Sequence, residues 1–173
     1  MVELITEVDI NDNIIGARPK TDFFDNPSLI CRTSHLYLLN SQGKLLIQMR
    51  AKNRKNYPDQ YDASVSGTVR ADETYEQALE REMKEELNIQ TPFEYVLKGF
   101  YKDDIHCSHK SCFYAMYDGP VSMQETEVSE LIWMDRKTLL KKMTEEPKKF
   151  CPPFLEELNE LIIEKDFFEK KLK

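Results

Sequence analysis

Residues Ser66 to Ile89 read SGTVRADETYEQALEREMKEELNI, a glycine turn followed by an acidic helix of about four turns. Thr74, with Gln77 three residues later, matches a capping box and marks the helix start. Ala78, Leu79, Met83 and Leu87 recur at helical spacing and form its apolar stripe. Asn88 follows the last turn, where a residue tolerant of left-handed backbone is wanted. Glu80 and Lys84 make an ordinary i,i+4 pair on the solvent side. Glu82, Glu85 and Glu86 fall at i, i+3 and i+4, so their carboxylates share one side of the helix. Like charges so placed cost roughly 0.2–0.5 kcal/mol per pair unless something positive neutralises them. Hard divalent cations such as Mg²⁺ take oxygen ligands of this kind and bridge to phosphates. The stretch therefore points to metal-assisted phosphate chemistry.

The elements around it read as strands first and helices last. Upstream, Glu3 to Ile10 alternates as a strand, Asn11-Asp12-Asn13 signals a turn, and Ile14-Ile15-Gly16 returns as a short partner. Residues 17–30 look irregular around Pro19 and Pro27. His35–Leu39 and Lys44–Met49 flank Asn40-Ser41-Gln42-Gly43 as a hairpin of two half-buried strands. Arg50, Lys52, Arg54 and Lys55 then place four cations in a loop of six residues. Downstream, Phe93–Tyr101 and Ser111–Tyr117 read as strands around a polar segment, Lys102–His109. Leu131–Met134 is a short apolar strand, Asp135 caps a helix through Lys142, and a last helix begins at Pro152 with Phe154, Leu155, Leu158, Leu161 and Ile162 on its buried stripe. This order predicts an α/β (α+β) fold, a mixed sheet covered by helices on both faces.

Composition narrows the function class. With 173 residues, 40% hydrophobic and 32% charged, the chain fits one globular domain with no linker or repeat. It has no apolar run long enough for a membrane span, and its acidic start lacks the basic and apolar regions of a secretory signal. Four scattered cysteines (Cys31, Cys107, Cys112, Cys151) read as free thiols of a cytoplasmic protein. The net charge of −7 argues against nucleic-acid or anionic-membrane partners, while leaving room for a local basic patch. Asp103, Asp104, His106, Cys107, His109 and Cys112 crowd together, but their spacing matches no strong zinc pattern and a polar turn accounts for them. His35 reads as a satisfied core residue. Trp133 and the tyrosines also read mostly as core, with Tyr37, Tyr57 or Tyr61 as candidates to flank a substrate.

Read with gaps, the stretch runs Gly67, Glu73, then Arg81-Glu82-Met83-Lys84-Glu85-Glu86 and Asn88-Ile89, and this resembles the Nudix box. That box marks hydrolases of nucleoside diphosphates linked to another group. Asn88 replaces the box's last glycine. The resemblance implies a Nudix fold in which residues 66–89 form the box, 1–28 an N-terminal hairpin extension and 152–170 a C-terminal helix. It implies Mg²⁺, with Mn²⁺ as a substitute, held by Glu82, Glu85, Glu86 and the carbonyl of Ser66. Gly67, Glu73 and Arg81 would be structural support, with Arg81 bracing Glu73. The general base would be Glu82 or a downstream acid, Glu127 before Glu125. Arg50 and Lys55 of the basic loop would bind a small-molecule diphosphate.

The match extends through Asp9–Gly16, Cys31–Asn40, Gln48–Arg50, Pro58 and Asp62–Ser64, and there it resembles the isopentenyl-diphosphate-isomerase-like branch. True isomerases place a catalytic cysteine just before the box glycine and use metal-binding histidines. Here Ser66 stands at the cysteine position, with Cys31 and Val69 at two histidine positions. The expected activity is therefore a pyrophosphohydrolase. Isomerase-like chemistry and a non-catalytic nucleotide- or metabolite-binding module are the alternatives. The chain would act as a monomer or a homodimer.

Overall fold

The computed structural model describes residues 2–164. A two-stranded antiparallel sheet comes first, β1 (Leu4–Val8) with β2 (Ile14–Pro19). Asp12, at φ 65°, makes the turn between them, and the Asp9 carboxylate accepts from the backbone N–H groups of Asn11 and Asn13. The β2 strand runs three residues further than its sequence shows, because pairing to β1 organises Ala17 and Arg18, which carry no strand signal of their own.

The main sheet combines β3 (Cys31–Leu39), β4 (Leu45–Arg50), β5 (Tyr61–Asp62), β6 (Val65–Thr68), β7 (Glu94–Lys102), β8 (Cys107–Met116) and β9 (Val128–Met134). It is mixed: β3 and β8 run parallel and the other pairs are antiparallel. At Leu39 β3 meets β4, but along Thr33–Leu36 it pairs with β6, while β4 pairs with β5 at Gln48 and Met49. The strands of the first hairpin thus part, and the chain that leads into the glycine turn takes up the space between them.

Side-chain alternation sends β3 to two cores. Leu36 and Leu38 pack with Leu79, Met83 and Leu87 of α1 (Tyr75–Leu87). On the other face Tyr37 and Leu39 pack with Leu139 of α2 (Arg136–Glu145) and with Phe154 and Leu158 of α3 (Pro152–Leu158). The sheet is covered on both faces, as the element order predicts. The last helix does not continue as a regular α-helix: α3 passes into a π-helical segment over Asn159–Glu164. The remainder of the helix expected to residue 170 lies outside the described residues.

Strand β8 is the main departure. It starts at Cys107, four residues before the apolar pattern does, so the expected polar segment shrinks to a turn around Asp103. That carboxylate accepts from the N–H groups of Ile105 and His106. Ser108 and His109 belong to the expected polar segment and Lys110 falls between it and the expected strand, yet Lys110 is 1% exposed. Its ammonium meets Glu156 at 3.2 Å and Glu157 at 3.3 Å on α3, partners 46 and 47 residues away that no local pattern reveals.

Helix α1 starts as its capping box dictates, with the N–H of Gln77 donating to the Thr74 hydroxyl and the Gln77 side chain accepting from the Thr74 N–H. It ends at Asn88, in the left-handed region at φ 53° and ψ 40°. Thr74→Ala removes the cap. It should cost about 1 kcal/mol and lower Tm by about 2–4 °C in thermal unfolding followed by circular dichroism.

Candidate active site

The site is assembled where the glycine turn meets the acidic helix. A Cβ built on Gly67 would lie 2.1 Å from Cγ of Glu82 and 2.3 Å from its Oε1, so glycine is what lets α1 lay this carboxylate against β6. Arg81 ties the arrangement together. Its guanidinium donates to both oxygens of Glu73 at 2.7 and 2.9 Å, to the Thr68 carbonyl at 3.0 Å and to Glu82 at 2.6 Å, with a longer contact of 3.3 Å to Glu85. The N–H of Arg70 completes the Glu73 site. Burial alone would raise the Glu73 carboxyl, but these hydrogen bonds bring it below its ordinary pKa.

Glu86 has no such compensation. It is 3% exposed, and among the described residues its carboxylate is met by the Ser66 N–H at 3.3 Å and the Gln48 amide at 3.4 Å. Burial, reinforced by the charge of neighbouring Glu82, lifts its pKa well above the ordinary carboxylate range. Burial lifts Glu82 as well, against the pull of Arg81. Two desolvated carboxylates with one guanidinium between them form an electron-rich oxygen set short of positive charge. That donor set fits a hard divalent cation. Gln48 and Ser66 mark the side from which Glu86 is held.

A cavity of about 410 Å³ opens beside these groups and is bordered by Ser66, Gly67, Glu82 and Glu85. Glu127 also borders it, while Glu125 is exposed and does not. The backbone explains the difference. The ends of α1 and β4 clamp the loop: Gln124 N–H donates to the Glu86 carbonyl at 3.1 Å, and Ala51 N–H donates to the Glu127 carbonyl at 2.9 Å. The Glu127 carboxylate pairs with Arg54 at 2.7 Å.

Arg50 and Lys55 both border the cavity. Arg50 is anchored by Asp62 at 2.9 Å and by the Asn56 carbonyl, whereas the exposed Lys55 pairs with the exposed Asp25, at 2.7 Å. Of the three candidate tyrosines, Tyr57 borders the cavity. Tyr37 and Tyr61 are committed to the core, against Phe154 and Phe150 respectively.

Other residues at the cavity carried no signal in the sequence. Lys20 and Arg70 reach it from different segments and share Glu3, at 3.0 and 2.9 Å. His35 is buried and hydrogen-bonded, as expected of a core histidine, but it also borders the cavity. Its Nδ1 lies 2.9 Å from Glu157, which also accepts from the Tyr37 hydroxyl. Among the described residues, His35, Cys112 and Glu157 bring ligand atoms within 4.8 Å of one another. The Lys110 ammonium 3.3 Å from Glu157 already supplies the positive charge there, so the group reads as a buried ion network rather than a metal centre.

The network has a definite acid signature. Burial would raise the Glu157 carboxyl, but His35, Lys110 and Tyr37 bring it down to about 2. Because this folded-state value lies below the ordinary 4.5, the stabilisation is present above that pH and lost as pH falls from there toward 2. Glu157→Gln should flatten this part of the urea-unfolding profile. It should also lower stability at pH 7 by about 3 kcal/mol, since Lys110 and His35 lose their counter-charge. Glu86→Gln should act in the opposite sense without metal, raising the unfolding free energy by on the order of 1 kcal/mol. It should also remove most of the thermal stabilisation conferred by Mg²⁺ or Mn²⁺.

The comparisons with known proteins agree with this geometry. The family model for the NUDIX domain matches residues 31–154. The chain is 32% identical over 163 residues to a prenyl-diphosphate phosphatase of Methanosarcina mazei, covering 88% of this chain and 91% of that one. It is 27% identical to an isopentenyl-diphosphate Delta-isomerase of Serratia proteamaculans, covering 93% and 92%. Among solved structures, the DR0079 protein of Deinococcus radiodurans superposes with a TM-score of 0.76 at 22% identity, covering 99% of this chain and all of that one, a likeness of fold. Box residues that hold two buried carboxylates against a glycine strand, within a matching domain model, place the chain in the Nudix family, as one of its hydrolases.

Proposed function

We propose that the chain hydrolyses a phosphoanhydride bond in a small diphosphate compound and depends on Mg²⁺ to do so. The observation that carries this reading is Glu86, a buried carboxylate without a cationic partner among the described residues, one helical turn from Glu82, which borders a cavity also lined by Lys20, Arg50, Arg54, Lys55 and Arg70. Glu82, Glu85, Glu86 and the Ser66 carbonyl would hold Mg²⁺, or Mn²⁺ in its place; when bound, the ion neutralises the diphosphate and polarises the attacked phosphorus.

The protein groups divide the remaining work. Arg50 and Lys55 bind the anionic diphosphate at the cavity, and Lys55 exchanges its exposed contact with Asp25 for the ligand. Glu127 or Glu82 orients the attacking water and accepts its proton as the new P–O bond forms and the bridging P–O bond breaks. Arg81 touches no substrate; it keeps Glu73, Glu82 and the end of β6 in register. Ser66 in place of a thiol supports hydrolysis over isomerisation, since a hydroxyl is a far weaker acid than a cysteine.

A diphosphate substrate is consistent with the relative named as a prenyl-diphosphate phosphatase. It is equally consistent with the Nudix domain of a Shewanella oneidensis protein crystallised with ADP ribose. The test is a panel of prenyl diphosphates, nucleoside diphosphate-linked compounds and nucleoside triphosphates, assayed for phosphate-bearing products with and without Mg²⁺. Glu86→Gln should lower kcat/KM by at least about 100-fold on any compound turned over. Turnover that survives EDTA, or that is insensitive to this substitution, would show the mechanism to be wrong.

A further inference from the structure

The carboxylate wall and the basic loop leave part of the cavity unexplained. Thr33 and His35 of β3 also border it, together with His106 and Ser108 near the start of β8. Thr33 is 7% exposed, and its hydroxyl has no hydrogen-bond partner among the described residues. A buried hydroxyl left unpaired is destabilising, so its retention beside a cavity points to a partner supplied by a ligand.

His35 lies two residues on, with its side chain on the same face of the strand, about 7 Å further along. It is 4% exposed, and among the described residues its hydrogen bond is made by Nδ1, which meets Glu157 at 2.9 Å. Glu157 is fixed in turn by the Tyr37 hydroxyl and by Lys110 at 3.3 Å. A carboxylate so placed keeps a proton on Nδ1, so Nε2 is the ring nitrogen left to a ligand. The Glu157 carboxylate at 2.9 Å is the counter-charge of an imidazolium, and a ring so paired can donate from Nε2. By contrast, burial holds His106 down to about 4, and its Nε2 is already engaged by the Ser108 hydroxyl at 3.0 Å.

One strand face therefore offers the cavity an unpaired hydroxyl and an imidazole locked in orientation from behind. Both can donate, and their complement is an anionic oxygen. We propose that Thr33 and His35 form a phosphoryl-oxygen subsite, positioning the substrate's diphosphate from a wall separate from the metal-binding carboxylates. Glu157, Lys110 and Tyr37 act behind it as the frame that fixes the ring. The identity of the anion rests on the hydrolase reading given above; the donor pair itself rests on the geometry of β3.

The test uses imidodiphosphate with Mg²⁺, a diphosphate that is not turned over, titrated calorimetrically into the full chain and into Thr33→Val and His35→Gln. Each variant should bind roughly tenfold more weakly, the loss expected of one hydrogen bond to a charged group. Mn²⁺ alone should bind both as it binds the wild type. Thr33→Val is isosteric and removes an unpaired buried hydroxyl, so it should unfold at the same or a higher temperature while binding less well. A merely structural residue would not show that combination. On a compound that the wild type hydrolyses, both variants should raise KM with far less effect on kcat. Wild-type affinity in Thr33→Val and His35→Gln overturns the proposal, and so does failure of the wild type to bind imidodiphosphate. Binding that is sensitive to both substitutions, with no product from any compound in the panel, would uphold the subsite while removing the hydrolase reading.

Discussion

The close approach of α1 to β6 at Gly67 is the constraint on which the site depends. No side chain fits between Glu82 and the strand, so the helix can press its acidic side inward. This runs against the usual preference of charged residues for water and desolvates Glu82 and Glu86 together. Arg81 offsets only part of the cost, because its five donors are shared among Glu73, Glu82, Glu85 and the Thr68 carbonyl. What remains is a carboxylate pair whose natural complement is a cation of higher charge density than a guanidinium.

The same economy of charge appears on the other face of the sheet. Glu157 is completely buried, yet it is surrounded by His35, Tyr37 and Lys110, and it titrates far below Glu86. Both acids lie in the interior; one is paired and the other is not. That contrast separates a carboxylate that stabilises the fold from one whose burial lowers stability, the kind of acid that a bound cation would compensate. Position in the interior does not distinguish them, and only the partner inventory does.

Two further joints locate the cavity. The parting of β3 from β4 admits β5 and β6, and so delivers the glycine turn next to β3. The loop before β9 is fastened by backbone hydrogen bonds to the ends of α1 and β4. Backbone fastening leaves the Glu127 side chain free to meet Arg54 at the cavity edge. The N-terminal segment contributes through Glu3, just before β1, and Lys20, just after β2, which border the cavity.

Local patterns were sufficient for whatever local energetics control. The capping box at Thr74, the left-handed Asn88, the apolar stripe of α1 and the turn at Asp12 all depend on contacts within a few residues, and the sequence alone determined them. The spacing of Gly67, Glu73, Arg81 and the three glutamates likewise determined the family and the side of the helix that matters. The tertiary structure decided the rest. Lys110 could not be read as a buried strand residue, since Glu157 reaches it only through the packing of α3. Glu127 stands before Glu125 in the sequence reading, but only the clamped backbone shows that Glu127 borders the cavity while Glu125 does not. His35 and Thr33 gave no signal, because their significance lies in a cavity formed by strands distant in the chain. A carboxylate's role follows from the charges brought to it, and in this chain those charges arrive from far along the sequence.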